Sequence, residues 1–265
     1  MRVDLLDAAI KRDLAAGLKP AGIIAAVGGT SMGATDDIAA IAAVAKAHGL
    51  YLHVDAAWAG SAMICPEFRS YWAGIEGADS VVLNPHKWLG APFDCSTQFI
   101  RDPDALVKTL AIKPEYLKSS RKGVPEDEVI NYSEWSVPLG RRFRALKLWF
   151  LFRAYGLEAL REMIRNHVSW SNKLAERLRA TPGFELVTEP MLSLFTFRYV
   201  GDGTSDLDAL NRELISRIND DGRIYLTQTI VDRKFVLRFQ VGTFESTEAD
   251  VAYAGNVIVE IARRL

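Results

Sequence analysis

The stretch Val-Val-Leu-Asn-Pro-His-Lys-Trp, residues 81–88, decides what fold and function are expected of this chain. Its first three residues form a short apolar run, which is typical of a buried strand. The Asn-Pro pair that follows is a turn signal, because proline has no amide hydrogen to give to a strand ladder or a helix. His86 and Lys87 are therefore expected just beyond the end of a strand. Most lysines are simply exposed, but an amine beside an apolar pocket is a usable nucleophile.

A second stretch, Tyr-Leu-His-Val-Asp-Ala-Ala-Trp-Ala-Gly at residues 51–60, supplies a carboxylate that suits this lysine. It begins as another apolar strand, and Asp55 lies near the end of that strand. Only small side chains and one tryptophan follow, which leaves a floor against which a flat ligand can lie. Asp55 and Lys87 are therefore each expected near the end of a strand, 32 residues apart in the chain.

The hydrophobic pattern predicts an α/β fold in the first part of the chain and a separate α+β module after it. A helical pattern at 38–48 lies between apolar strands at 22–27 and 51–55, so this unit implies a parallel sheet. The change of pattern places domain 1 at residues 1–145 and domain 2 at residues 146–265. Further strands are predicted at 80–83, 96–100, 184–187, 194–199, 223–229 and 235–240. Further helices are predicted at 3–16, 143–153, 158–180, 207–220 and 247–264.

Composition excludes several classes of function. The chain has 265 residues and a net charge of −1, so no surface for nucleic acid or another polyanion is implied. No apolar run is long enough to span a membrane, and the first residues lack the core of a signal peptide. The 2 cysteines do not form a disulfide framework, and the 4 histidines are not spaced as metal ligands. These features predict a cytoplasmic protein without a bound metal.

Five strings of residues, in consistent order and spacing, resemble the group II pyridoxal-phosphate-dependent amino-acid decarboxylases. Within that group the resemblance is closest to the aromatic-L-amino-acid decarboxylases, and it covers essentially the whole chain. It implies the fold type I of aspartate aminotransferase, with residues 1–145 as the C-terminal portion of the cofactor-binding large domain. Residues 146–265 are then the small C-terminal domain. The strings are His-Val-Asp-Ala-Ala-Trp-Ala-Gly-Ser-Ala (53–62), Cys-Pro-Glu-Phe-Arg (65–69), Asn-Pro-His-Lys-Trp (84–88), Phe-Asp-Cys-Ser (93–96) and Pro-Leu-Gly-Arg-Arg-Phe-Arg (138–144).

The resemblance assigns roles to individual residues. Lys87 would hold pyridoxal 5'-phosphate covalently, and Asp55 would face the pyridine nitrogen of the cofactor. Ala57 would pack against the face of the cofactor ring. The remaining residues expected around the cofactor are Thr30, Asn84 and His86, and His86 is also expected to take part in catalysis.

The resemblance also implies a reaction and a class of substrate, namely the decarboxylation of an aromatic L-amino acid to its amine. Tyr116 stands where family members carry a tyrosine that helps to protonate the substrate carbon, whereas phenylalanine there accompanies oxidative aldehyde formation. Gly140 matches the residue found in relatives that act on aromatic substrates. Trp58 and Phe93 are expected to contact the substrate. An aromatic aldehyde synthase remains an alternative.

The chain departs from the family pattern in several places. Trp58 replaces a more common tyrosine, Gly29 a more common threonine, and Gln228 a more common histidine. Full family members also carry a long N-terminal part, which supplies phosphate ligands and an arm that is exchanged in the homodimer. The site is therefore expected to need that segment, or a partner chain that provides it. A truncated paralogue that only binds a partner is the non-enzymatic alternative.

One unrelated interpretation depends on the loop after the first strand. Gly29-Thr-Ser-Met-Gly33 fits the Gly-x-Ser-x-Gly pattern of the hydrolase nucleophile elbow, with Ser31 as the nucleophile. In an elbow the helix begins directly after the serine, whereas several residues intervene here before Asp36. The spacing therefore disfavours a serine hydrolase.

Overall fold

A computed structural model describes residues 1–111, 130–201, 203 and 205–265 of the chain. The described helices are α1 (Val3–Ala15), α2 (Ile38–His48), α3 (Pro103–Leu110), α4 (Ala145–Ala180), α5 (Leu207–Asp221) and α6 (Glu248–Ala262). The described strands are β1 (Gly22–Ala26), β2 (Tyr51–Asp55), β3 (Ser80–Leu83), β4 (Thr97–Ile100), β5 (Phe184–Met191), β6 (Leu194–Tyr199), β7 (Thr227–Val231) and β8 (Lys234–Gln240).

The first sheet has the strand order β1-β2-β3-β4, and its first three strands are parallel. β4 returns antiparallel to β3. The crossover helix α2 is capped at both ends. At its N-terminus the Asp37 side chain accepts a hydrogen bond from the amide of Ala40, and at its C-terminus Gly49 adopts a left-handed conformation. The mostly parallel α/β architecture predicted for this region is confirmed.

The two faces of the first sheet differ in burial. Ile23 and Leu52 lie on the face that joins the core formed with α1, α2 and part of α4, and both are buried. Ile24 and Tyr51 lie on the opposite face and are 68% and 47% exposed. Because side chains alternate along a strand, one sheet carries a packed face and an open face.

The second sheet is antiparallel and has the order β5-β6-β8-β7. Phe195, Phe197 and Leu237 point from its two central strands into a core closed by α4, α5 and α6. α6 starts with a capping box in which Thr247 and Asp250 exchange hydrogen bonds. This module matches the predicted α+β organisation.

The long helix α4 contributes to both cores. Leu160 and Ile164 belong to the core of the first sheet, whereas Leu174 and Leu178 belong to that of the second. Gly156, with φ 76° and ψ 164°, interrupts the helix, and the sequence predicted this break between its two helical segments. The division of domains at residue 145, where α4 begins, stays a prediction.

One predicted strand begins later than expected. Residues 223–229 were expected as a strand, but β7 begins at Thr227. Arg223 instead forms ion pairs with Asp221 and Glu260. Leu226 is hydrogen-bonded to the side chain of Asn219, so this stretch is bonded to α5 and α6 rather than to the neighbouring strand.

Within the described ranges, no helix combines the length and the apolar character needed to cross a bilayer.

Candidate active site

Asp55 and the turn before Lys87 lie at the carboxyl ends of neighbouring parallel strands. Asp55 is the last residue of β2 and is in register with Val82 of β3. Its Oδ1 accepts a hydrogen bond of 2.9 Å from the amide of Ala57. The carbonyl of Ala57 in turn accepts one of 2.8 Å from the amide of Asn84. The two strand ends are therefore joined through Ala57, as sites in open α/β sheets commonly are.

The turn at Asn84 fixes the backbone of Lys87. The amide of Lys87 donates to the carbonyl of Asn84 at 2.9 Å, which closes a tight turn directly after β3. The side-chain oxygen of Asn84 accepts a hydrogen bond of 2.6 Å from the hydroxyl of Ser96. Asn84 thus acts as a structural anchor for the lysine, and the Lys87 side chain is exposed.

His86 is held by its Nδ1 atom. That atom lies 2.7 Å from the carbonyl oxygen of Cys95 and 3.0 Å from the Cys95 amide nitrogen. Either ring tautomer therefore finds a backbone partner in Cys95. Nε2 is then the ring nitrogen available to a ligand.

Two stacked indoles lie close to Lys87, because Trp88 directly follows it in the chain and stacks on Trp58. The rings of Trp58 and Trp88 are 5.0 Å apart between centroids and inclined by 21°. The indole nitrogen of Trp88 donates to Nδ1 of His167 at 3.0 Å. Burial lowers the pKa of His167 to about 4, so its ring is neutral and can accept this bond. The sequence predicted no role for His167, because nothing local links it to a tryptophan far away in the chain.

A cavity of about 430 Å³ opens beside Lys87. Residues that follow strands of the first sheet and residues of the second module line it, so it lies where the two modules meet. The lining residues are Thr30, Trp58, Lys87, Trp88, Leu194, Arg238, Gln240, Gly242 and Thr243. Three of the predicted site residues, namely Thr30, Trp58 and Lys87, are therefore brought together at one cavity.

The other predicted site residues lie around this cavity or apart from it. Asp55, Ala57, Asn84 and His86 belong to the hydrogen-bonded strand ends rather than to the cavity wall. Phe93 is 83% exposed, and its ring meets the ring of His86 edge-on at 4.9 Å. Gly140 is exposed in an irregular segment before α4, away from the cavity lining. Tyr116 lies outside the described residues.

The serine of the alternative hydrolase pattern does not sit in a nucleophile elbow. Ser31 is exposed in the loop after β1, and α2 begins only at Ile38. An elbow requires a helix that starts directly after the nucleophile, so its geometry is absent from this described loop.

Arg238 of β8 is a cavity residue that the sequence did not single out. Its side chain donates to the carbonyl oxygens of Thr30 and Ser31. One local signal was available, because Arg238 is the charged residue that interrupts the apolar run of residues 235–239 in β8. Such a residue needs a partner, but the strand alone does not reveal which.

Comparison with known proteins identifies the family. The pyridoxal-dependent decarboxylase conserved domain matches residues 1–200. The chain belongs to the pyridoxal-dependent decarboxylase family. Among members of this family, it is 43% identical over 268 residues to tyrosine decarboxylase 2 of Arabidopsis thaliana, covering 100% of this chain and 48% of that protein. It is 41% identical over 267 residues to phenylacetaldehyde synthase of the same plant, covering 100% of this chain and 54% of that protein.

Solved structures of the pyridoxal-dependent decarboxylases agree with this assignment. The crystal structure of Oryza sativa TDC with PLP and tryptamine superposes with a TM-score of 0.95 at 38% identity. The superposition covers 100% of the present chain and 55% of the Oryza sativa chain. The chain thus spans about half the length of the relatives that it matches. The predicted fold type I and the predicted family are both confirmed.

The residues present fit pyridoxal phosphate, the cofactor of this decarboxylase family. Lys87, which carries a primary amine, lines a cavity of about 430 Å³. A carboxylate, Asp55, lies at the adjacent strand end, and Thr30, which carries a hydroxyl, lines the cavity. An aldehyde, a ring nitrogen and a phosphate group are the features of the cofactor that such side chains recognise.

Proposed function

We propose that this chain contributes the cofactor lysine and its facing carboxylate to an enzyme that decarboxylates an aromatic L-amino acid. The observation that carries the proposal is the pair of joined strand ends, with Asp55 at the end of β2 and the turn from Asn84 to Lys87 after β3, next to a cavity that Lys87 and residues of both modules line. Pyridoxal phosphate, when bound, supplies an electron sink for the bond that breaks to the departing carboxylate. The reaction is that of a carboxy-lyase.

The chain's own residues perform binding and orientation. Lys87 supplies the amine that binds the cofactor aldehyde, and the turn at Asn84 holds its backbone in place. Asp55 keeps one oxygen bonded to Ala57 and has a second oxygen to place near a ring nitrogen, where a negative charge favours the protonated form. His86 offers Nε2, and Thr30 offers a hydroxyl. Tyr116 would donate the proton to the substrate carbon, and this role rests on the resemblance alone.

An aromatic substrate is supported by the names of the relatives and by the aromatic surface near the site. Trp58 and Trp88 form a stacked pair on the cavity wall, and Phe93 is an exposed ring beside His86. Flat apolar side chains bind well against such surfaces. The role of Gly140 rests on the resemblance alone, because this residue is exposed and lies outside the cavity lining.

The site is completed by further protein. Ile24 and Tyr51 are exposed on the open face of the first sheet, and Trp149 and Phe150 are more than half exposed near the start of α4. Apolar patches of this kind mark protein interfaces. The relatives are about twice as long, so we propose that an N-terminal segment, or a separate chain equivalent to it, covers these surfaces. The complete enzyme would then be a homodimer in the cytoplasm.

The cofactor test uses pyridoxal phosphate itself. The purified chain, alone and in its native complex, is titrated with the cofactor while the visible absorbance of the lysine-bound form is recorded. Lys87→Ala should abolish this absorbance, whereas Lys46→Ala, which removes an exposed lysine of α2, should retain it. If both variants bind equally, Lys87 is not the cofactor lysine. If native material is a yellow, active monomer of this chain alone, the proposed completion is wrong.

Aldehyde synthesis is a second candidate, because one relative is a phenylacetaldehyde synthase at 41% identity. Decarboxylation alone releases carbon dioxide and an amine, whereas the oxidative reaction consumes oxygen and also releases ammonia and hydrogen peroxide with an aldehyde. Tyr116 favours the amine. Measuring hydrogen peroxide and ammonia together with carbon dioxide separates the two activities. If the native protein neither binds nor converts an aromatic amino acid, the non-catalytic paralogue is favoured instead.

A further inference from the structure

The loop at residues 28–33 bears Thr30 and connects β1 to the rest of the first domain. Its base is held by its own backbone, since the amides of Gly28 and Gly29 donate to the carbonyl of Ala34 at 3.1 and 2.9 Å. The amide of Gly33 donates to the carbonyl of Gly29 at 2.8 Å. Thr30 and Ser31 form the exposed tip of this loop.

Arg238 reaches this tip from the second sheet. Its Nε donates to the carbonyl of Ser31 at 2.7 Å, and its Nη2 donates to the carbonyl of Thr30 at 2.5 Å. Its Nη1 donates to the hydroxyl of Thr227 on β7 at 2.8 Å. All three nitrogens of the planar Arg238 guanidinium thus donate hydrogen bonds. Two of them donate to the loop and one donates to β7, the strand beside β8. A lysine ammonium cannot reproduce this fork.

The same loop has a second contact with the same module. Gly33 has φ +77°, and a Cβ added there would lie 2.9 Å from the Cβ of Met191. It would also lie 3.5 Å from a methyl group of Leu194, which lines the cavity. The loop is therefore seated against the turn between β5 and β6 at one end and bonded to Arg238 at its tip.

We propose that Arg238 is a positioning residue, which clamps the Thr30 loop to the C-terminal module and thereby sets the position of Thr30 in the wall of the cavity that Lys87 also lines. Arg238 acts through the loop backbone, because its donors are directed to carbonyl oxygens that carry no side-chain identity. Charged donors to carbonyls make strong hydrogen bonds, so loss of the fork releases the tip. The consequence for cofactor binding rests on the proposed function, whereas the clamp itself does not.

The clamp is tested on the cofactor-free chain by amide hydrogen exchange. Arg238→Lys should speed exchange at the amides of residues 28–33 by about tenfold, which corresponds to about 1.4 kcal/mol. Exchange in β1 should be unchanged, which also reports that the variant is folded. Arg212→Lys is the matched control, since Arg212 stacks on Phe235 and has no bond to the loop. Thr227→Val, which keeps Arg238 but removes one of its anchors, should give a smaller increase at the same amides.

The positioning role is tested by cofactor affinity. Arg238→Ala should weaken binding of pyridoxal phosphate in the native complex by about tenfold, and added guanidinium ion should restore it. Unchanged loop exchange in Arg238→Lys would overturn the clamp. Faster exchange with unchanged cofactor affinity would overturn the positioning role and leave a purely structural contact. If the unaltered protein shows no cofactor absorbance, the proposed function fails, while the exchange result still decides the clamp.

Discussion

The two faces of the first sheet are built from the same strands but differ in what they contact. Leu52 and Val54 point into a closed core and are fully buried. Their neighbours on β2, Tyr51, His53 and Asp55, point to the other face, where Tyr51 and Asp55 are exposed. The covered face is complete within the described residues, and the open face bears the carboxylate of the candidate site.

This difference separates the face that the chain covers with its own helices from the face that, in the function proposed above, another protein surface covers. Burial of apolar side chains supplies most of the free energy of folding, so the covered face and the closed second sheet sustain the fold. Exposed apolar side chains such as Ile24 and Tyr51 are typical of protein interfaces, which is why the proposal places another protein surface on the open face. In that proposal the site and the interface would be formed together.

The largest effect is expected on the covered face. Leu52→Ala should lower the free energy of unfolding by about 2–5 kcal/mol, because it removes a fully buried side chain and leaves a cavity. Urea denaturation of the purified chain measures this value. A loss below about 1 kcal/mol would mean that the covered face is not a packed core, and the comparison of faces would no longer hold.

An intermediate loss of folding stability is expected when the pH of the solution is lowered, because a buried histidine then has to bind a proton. His167 is 1% exposed, and burial lowers its pKa to about 4, so the unfolded chain binds a proton at a higher pH than the folded chain. Stability contributed by the neutral ring is therefore present above the ordinary pKa of about 6.5 and is lost as the pH falls towards 4. The loss can reach about 3 kcal/mol at the low end.

His167→Gln provides the control for this pH dependence. The glutamine side chain retains an oxygen that can accept from the Trp88 indole nitrogen, but it does not titrate. Urea midpoints measured between pH 7 and pH 4 should therefore fall less steeply for the variant. Parallel curves for the two proteins would show that His167 is not held neutral in the core.

The smallest effect is expected on the open face. Ile24→Ala should change the free energy of unfolding of the chain by less than about 0.5 kcal/mol, because the side chain is 68% exposed. In the native complex the same substitution should weaken association, since the partner surface would bury this position. Sedimentation of the complex measures the second quantity. A large loss of stability in the isolated chain would show that the face is already covered.

Much of the fold followed from local patterns. The strands at residues 51–55 and 80–83 were predicted with their observed bounds, because alternation of apolar residues and the Asn-Pro turn act over a few residues. The interruption of α4 at Gly156 was likewise local. The predicted start of β7 at residue 223 was wrong. An ion pair between Arg223 and Glu260 ties the residues before Thr227 to α6, and the spacing of residues in the sequence does not reveal that pair.

The site was predictable only in part. Lys87, Thr30 and Trp58 were expected from motif resemblance and meet at one cavity. Arg238 and His167 were not found, because their partners, Thr30 and Trp88, lie far away in the chain. Their roles depend on how the second module is placed against the first.

The sequence by itself determined the kinds of element, the order of the strands along the chain and the residues at the strand ends, since these depend on short-range periodicity and turn chemistry. Only the tertiary structure decided which face of the first sheet is covered and which donors reach the Thr30 loop. Burial and hydrogen bonding between distant segments arise when helices and sheets pack, and one guanidinium can then hold two carbonyls that the linear order keeps apart.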